Sequence, residues 1–96
     1  MIIEILTFHL SRGADEAAFL EADRRVQTEF AYQQPGMLRR TTAKGPDGRW
    51  MVVDLWRSAA DADRCDALWG RDPVTDEFRA LLDSSSVTTE RFETLD

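Results

Sequence analysis

Two carboxylates stand inside runs that are otherwise apolar: Glu4 in Ile2-Ile3-Glu4-Ile5-Leu6, and Asp54 in Met51-Val52-Val53-Asp54-Leu55-Trp56. A carboxylate in such company either finds a cationic partner, here Arg39 or Arg40, or is desolvated and holds its proton to a higher pH than usual, which suits proton transfer near neutrality. His9 is the only histidine. It reads first as a structural or surface residue, yet a side chain with an ordinary pKa of about 6.5 can also act alone as a general base. One histidine cannot build a multi-histidine metal centre, and Ser-His-Asp catalysis has little support, so no metal site is expected. Cys65, the single cysteine, lacks the neighbouring cations or histidine that generate a thiolate and is expected to be inert and partly buried. Asp23 and Gln27 lie one helical turn apart, placed either to hydrogen-bond a ligand at a pocket rim or to sit in solvent as ordinary helix residues. Trp56 and Trp69 offer flat apolar walls; Trp56 is expected to anchor a helix and Trp69 to face a ligand.

These residues need elements to hold them. Alternation of side chains predicts a strand over residues 2–10, with Ile2, Leu6, Phe8 and Leu10 on one face and Ile3, Ile5 and His9 on the other. Asp15 is a helix cap, and Phe19, Ala22, Val26, Phe30 and Gln33 recur at spacings of three and four, giving one long helix that Pro35-Gly36 ends. Strands follow at 37–44 and 49–57, joined through Pro46-Asp47-Gly48 as a hairpin. Ser58 and Asp61 form a capping box for a second helix carrying Ala62, Cys65, Leu68 and Trp69, which Gly70 stops. Asp72-Pro73 opens a further short helix with Val74, Phe78, Leu81 and Leu82 inward. Ser84 to Ser86 is a loop, and residues 87–95 form a more polar strand suited to a sheet edge.

The order strand, helix, strand, strand, helix, strand predicts one α+β domain over residues 1–96, a ferredoxin-like β-α-β-β-α-β fold with a four-stranded antiparallel sheet and its helices on one face. The other face then carries Ile3, Ile5, Met51, Val53 and Leu55. At about 25 cal/mol per Å2 of apolar area, leaving that patch in water costs several kcal/mol, so a homodimer closing sheet on sheet is expected. The 43% hydrophobic content is that of a folded domain, and no run approaches the roughly 20 apolar residues of a membrane helix. Glu4 interrupts the first apolar run, which has no basic residues before it and so does not read as a signal peptide. A net charge of −6 disfavours nucleic acid, since Arg24-Arg25 and Arg39-Arg40 are the only adjacent basic pairs. A cytoplasmic location is expected.

The chain resembles the dimeric α/β-barrel superfamily, and within it the antibiotic-biosynthesis-monooxygenase-like (ABM) domains. Four segments carry the likeness: Gln34-Pro35-Gly36-Met37-Leu38 closing the first helix, Val53-Asp54-Leu55-Trp56 with Ser58 at the entry to the second, Asp72-Pro73 before Phe78-Arg79-Ala80-Leu81-Leu82, and the final strand. The resemblance implies a pocket between sheet and helices and, in some members, oxidation of phenolic or quinol-like aromatics without a cofactor. On this chain such a pocket would be walled by Leu6, Phe8, Val26, Phe30, Cys65 and Trp69, with Asp23 and Gln27 as polar groups. Haem-degrading members carry an asparagine, a tryptophan and a histidine where this chain has Leu6, Cys65 and Leu82, so that activity is disfavoured. The resemblance leaves two readings, a cofactor-free monooxygenase of a small aromatic and a non-catalytic ligand-binding or structural dimer.

Overall fold

In a computed structural model, which describes residues 1–95, the apolar runs form four strands: β1 (Ile2–His9), β2 (Met37–Lys44), β3 (Arg49–Trp56) and β4 (Thr88–Glu93). They pair antiparallel in the order β2-β3-β1-β4, which puts the two most apolar strands in the middle and the polar β4 at an edge. Asp96, the last residue of the expected domain, lies outside the described residues. Three α-helices cover one face: α1 (Glu16–Arg25), α2 (Ala59–Leu68) and α3 (Pro73–Ala80). Each begins at the expected cap, with Asp15, Ser58 and Asp72 accepting from the backbone N–H of Ala17, Asp61 and Val74.

Register sorts every strand residue to a face. Under the helices, Ile2, Phe8, Trp50, Val52 and Trp56 are buried with Phe19, Ala22, Val26 and Phe30 from the first helical segment, Ala62 and Cys65 from α2, and Phe78 from α3. Phe8, Phe19 and Phe78 meet with ring centroids 5.4–5.9 Å apart and lock β1, α1 and α3 together. Among the described residues no α-helix packs on the outer face, and Ile3, Ile5, Val53 and Leu55 are half-buried while Met51 and Phe92 are exposed.

The structure differs from the sequence expectation in three places. The first helix is not continuous α: after Arg25 it runs through a five-residue π-helical turn, Val26–Phe30, and a 3-10 turn, Ala31–Gln33. Leu68 is exposed instead of inward, because α2 ends there and Gly70, at φ 81, turns the chain toward α3. The strands at 2–10, 49–57 and 87–95 are shorter at their ends, with Leu10 reduced to a bridge to Leu82. Among the described residues no helix is long and apolar enough to cross a membrane.

Gly36 turns the chain into β2 at φ 82, and a Cβ there would overlap the Asp61 carboxylate, which accepts from the Ser58 hydroxyl at the start of α2. Gly13 has the same φ with nothing near its missing Cβ. Gly13→Ala is expected to lose about 1–2 kcal/mol from the left-handed backbone alone, and Gly36→Ala distinctly more. Urea unfolding of both variants checks this; equal losses would mean that Asp61 moves aside at no cost.

Candidate active site

Four strands in this register place four charges in one line across the inner face. Arg40 pairs with Asp54, Asp54 with Glu4, and Glu4 with Arg91, so the order from β2 to β4 is positive, negative, negative, positive. Directly opposed side chains on one face lie about 4.5–5.5 Å apart at Cβ. Over this row, between the sheet and α2, is a cavity of about 120 Å3. Its apolar walls are Leu6, Val26, Phe30, Val52, Met37 and Trp69, and its charged lining is Glu4, Arg40, Asp54 and Asp66. An engineered apolar cavity of about 150 Å3 holds one benzene ring, so the space here matches a single ring and not a fused system.

Arg40 is held rigidly. Its Nη2 donates to Asp23 Oδ1 at 2.7 Å, its Nη1 donates to Gln27 Oε1 at 3.3 Å, and the Tyr32 hydroxyl accepts from its backbone N–H at 2.8 Å. The Thr42 hydroxyl adds a second bond to Asp23 Oδ1 at 2.9 Å. At the opposite end Arg91 reaches Glu4 at 3.1 Å, Asp66 at 3.0 Å and Asp63 at 2.8 Å, tying the edge strand to α2. Asp54 is served least: Arg40 Nε is 3.9 Å from its Oδ1, and that buried oxygen has no hydrogen-bond donor among the described residues.

The consequence is a carboxylic acid tuned toward neutrality. Burial pushes the Asp54 carboxyl up to about 6, Arg40 pulls it back in part, and the negative charges of Glu4, Asp66 and Asp23 add to the rise. Glu4 is also raised, first by burial and then by Asp66, against the pull of Arg91. Burial, with the nearby carboxylates, pushes the Cys65 thiol up to about 12, which keeps it protonated and inert.

Leu6, Phe30, Cys65 and Trp69, named as walls of the pocket that the resemblance implies, all line the cavity, and Trp69 stands edge-on to Phe30 and Phe78. Phe8 lies outside it, packed into the aromatic core two positions farther along β1. Asp23 and Gln27 face inward but bind Arg40 instead of bordering the space, because β2 places that guanidinium directly beneath them. His9 is exposed on the outer face, five positions and about 17 Å along the strand from Glu4. The cationic partner of Glu4 is Arg91, where Arg39 or Arg40 was expected; Arg39 is on the outer face opposite Leu55. Asp66 and Arg91 carried no signal in the sequence, whereas Glu4 and Asp54 were visible as acids in apolar runs. Among the described residues no group of three or more His, Cys, Asp or Glu side chains is arranged to hold a metal ion.

Asp54 sets a pH dependence of stability. Its pKa is 3.8 ordinarily and about 6 when folded, so between these values the folded chain binds more protons and stability falls as pH rises. At 1.36 kcal/mol per pH unit the penalty reaches at most about 3 kcal/mol above pH 6. Asp54→Asn is therefore expected to be more stable than the parent at pH 8 and to lose that advantage near pH 4. Urea unfolding at the two values decides it, and a variant weaker than the parent at pH 8 would mean that the ion pair with Arg40 outweighs desolvation.

No protein-family model matches the chain, and no curated protein sequence does. Solved structures do. SnoaB, a cofactor-independent oxygenase from Streptomyces nogalater, superposes with a TM-score of 0.81 at 21% identity, over 99% of this chain and 93% of its own. A candidate antibiotic biosynthesis monooxygenase from Nitrosomonas europaea gives 0.74 at 17% identity over the whole of both chains. A further antibiotic biosynthesis monooxygenase gives 0.72 at 16%, again over both chains in full. At these identities the likeness is one of fold, and the fold of this chain is that of the antibiotic biosynthesis monooxygenase proteins.

Proposed function

We propose that the protein is a cofactor-independent monooxygenase of a small, single-ring hydroxylated aromatic bound in the cavity beneath the helices. The observation that carries this reading is Asp54: a carboxylate with a pKa of about 6, lining an apolar cavity and lacking a donor on its buried oxygen. A base of that pKa is largely ionised at pH 7 and still basic enough to take a phenolic proton as the ring loses it. Arg40, fixed by Asp23 and Gln27, supplies positive charge beside the anion that forms, and Phe30 and Trp69 hold the ring. The electron-rich anion then reacts with dioxygen at a ring carbon that carries hydrogen. One oxygen atom enters as a quinone carbonyl, and the other leaves as water with the phenolic and ring hydrogens. The ring gives up the four electrons that dioxygen takes, so the stoichiometry closes without flavin, haem or metal. That SnoaB is a cofactor-independent oxygenase on the same fold supports the reading.

A second subunit belongs to this proposal. The outer face presents a shallow depression of about 350 Å3 lined by Ile3, Arg39, Thr41, Val53 and Leu55, and a copy of the same sheet is the self-complementary cover that two-fold symmetry provides. Light scattering is expected to give twice the chain mass. Val53→Asp, which puts a charge into that face, is expected to yield monomer or unfolded chain. A parent protein that is a folded monomer at micromolar concentration would remove the dimer from the proposal.

Hydroxylated single-ring aromatics are expected to quench tryptophan fluorescence saturably, with Trp69→Ala weakening the effect and leaving the oligomeric state intact. In an oxygen electrode, turnover is expected to rise with pH through about 6, as Asp54 loses its proton. Asp54→Asn should lower kcat by about a hundredfold or more while the ligand still quenches. Saturable quenching with no oxygen uptake across a phenol and quinol panel would instead identify a non-catalytic binding module.

A further inference from the structure

The charges around the cavity do not balance. Glu4, Asp54 and Asp66 line it against the single guanidinium of Arg40. That guanidinium is already engaged by Asp23, 2.7 Å away and buried with it. Arg91, the only other cation bonded to the lining acids among the described residues, divides its charge among Glu4, Asp66 and Asp63. Both arginines are thus already matched by carboxylates, and beyond the one anion that a phenol forms as Asp54 takes its proton, no unmatched positive charge remains for a second. The two central members of the row, Glu4 and Asp54, are opposed like charges in register, an arrangement that repels unless something positive comes between or beside them.

The balance bears on which ring can enter. A neutral phenol that gives its proton to Asp54 leaves the total charge of the cavity unchanged, since one negative charge passes from carboxylate to ring. A ring that arrives with its own carboxylate or phosphate adds a further negative charge beside three, in a space whose walls are mostly apolar and screen poorly. A ring bearing an ammonium group does the reverse. Asp66, near the end of α2, is exposed and lines the cavity together with Phe30 and Trp69, so it is the lining acid that meets solvent.

We propose that the cavity selects its ligand by charge, taking single-ring phenols that carry an ammonium substituent in preference to neutral ones and rejecting those that carry an anion. This rests on the cavity being the ligand site of the preceding proposal, and it adds the substrate class, a phenolic amine.

Three probes of nearly equal size test it: tyramine, para-ethylphenol and para-hydroxyphenylacetate, titrated by tryptophan quenching against the parent and Asp66→Asn at low and high salt. The cation is expected to bind tighter than the neutral ring, and the anion weaker, by about tenfold or more between the extremes. High salt and Asp66→Asn should each narrow that spread, read as the ratio of cation to neutral affinity within each protein. Anion binding equal to or tighter than the neutral ring overturns the inference, as does saturable quenching by none of the three. If the order holds but no probe consumes oxygen, the charge rule stands and the monooxygenase reading falls. If para-ethylphenol is oxidised but the three bind alike, the reverse is true.

Discussion

The register of β1 against β3 is the constraint on which the site depends, because it sets Glu4 opposite Asp54 and thereby puts two acids side by side under the helices. Like charges in that position are tolerated only with positive charge at hand, and the flanking strands supply it from both sides through Arg40 and Arg91. Much of the surrounding architecture then has a reason. Asp23 and Gln27 on the first helical segment hold one arginine, and Asp63 and Asp66 on α2 hold the other, so the charged groups beside the cavity also fasten the first helical segment and α2 to the sheet. A purely apolar row would pack more simply but would give the cavity no group able to move a proton.

The fold was legible from local patterns because each element carries its own start and stop. Asp15, Ser58 and Asp72 begin helices by accepting from free N–H groups, Gly36 reverses the chain at positive φ, and strand alternation assigned faces correctly for Ile2, Leu6 and Phe8 against Ile3 and Ile5. The site was legible only in part. An acid within an apolar strand is conspicuous wherever it occurs, which is why Glu4 and Asp54 stood out. Their partners were not conspicuous, since pairing across strands depends on a register that no single segment encodes. Arg91 sits in Thr-Thr-Glu-Arg-Phe-Glu, a run that reads as a polar edge strand, and Asp66 looks like one more solvated helix acid. Asp23 and Gln27 were assigned the right face of the helix and the wrong neighbour, because what lies beneath a helix is decided by the strand it crosses.

Burial raises the pKa of both the thiol and the carboxylic acid of the cavity, with different outcomes. For Cys65, desolvation places ionisation far above neutrality and makes the thiol a wall residue. For Asp54, the same desolvation starts from a much stronger acid and ends close to neutrality. One dry environment thus keeps one side chain protonated and leaves the other titrating near neutrality, and the difference lies in their ordinary acidities, not in their positions.

The π-helical turn at Val26–Phe30 has its own consequence. The Ala31 N–H bonds back to the carbonyls of both Gln27 and Val26, so that Val26, Phe30 and Ala31 all reach the cavity lining. In a regular α-helix at 3.6 residues per turn, Ala31 would lie about 140° around the axis from Val26 and leave this wall. The breadth of the wall is therefore tied to a single additional residue in the helix, with no change needed in the sheet. Insertion or loss of one residue there would be an economical evolutionary route to cavities of different width on an unaltered β-scaffold, with the buried carboxylate on β3 left where it is.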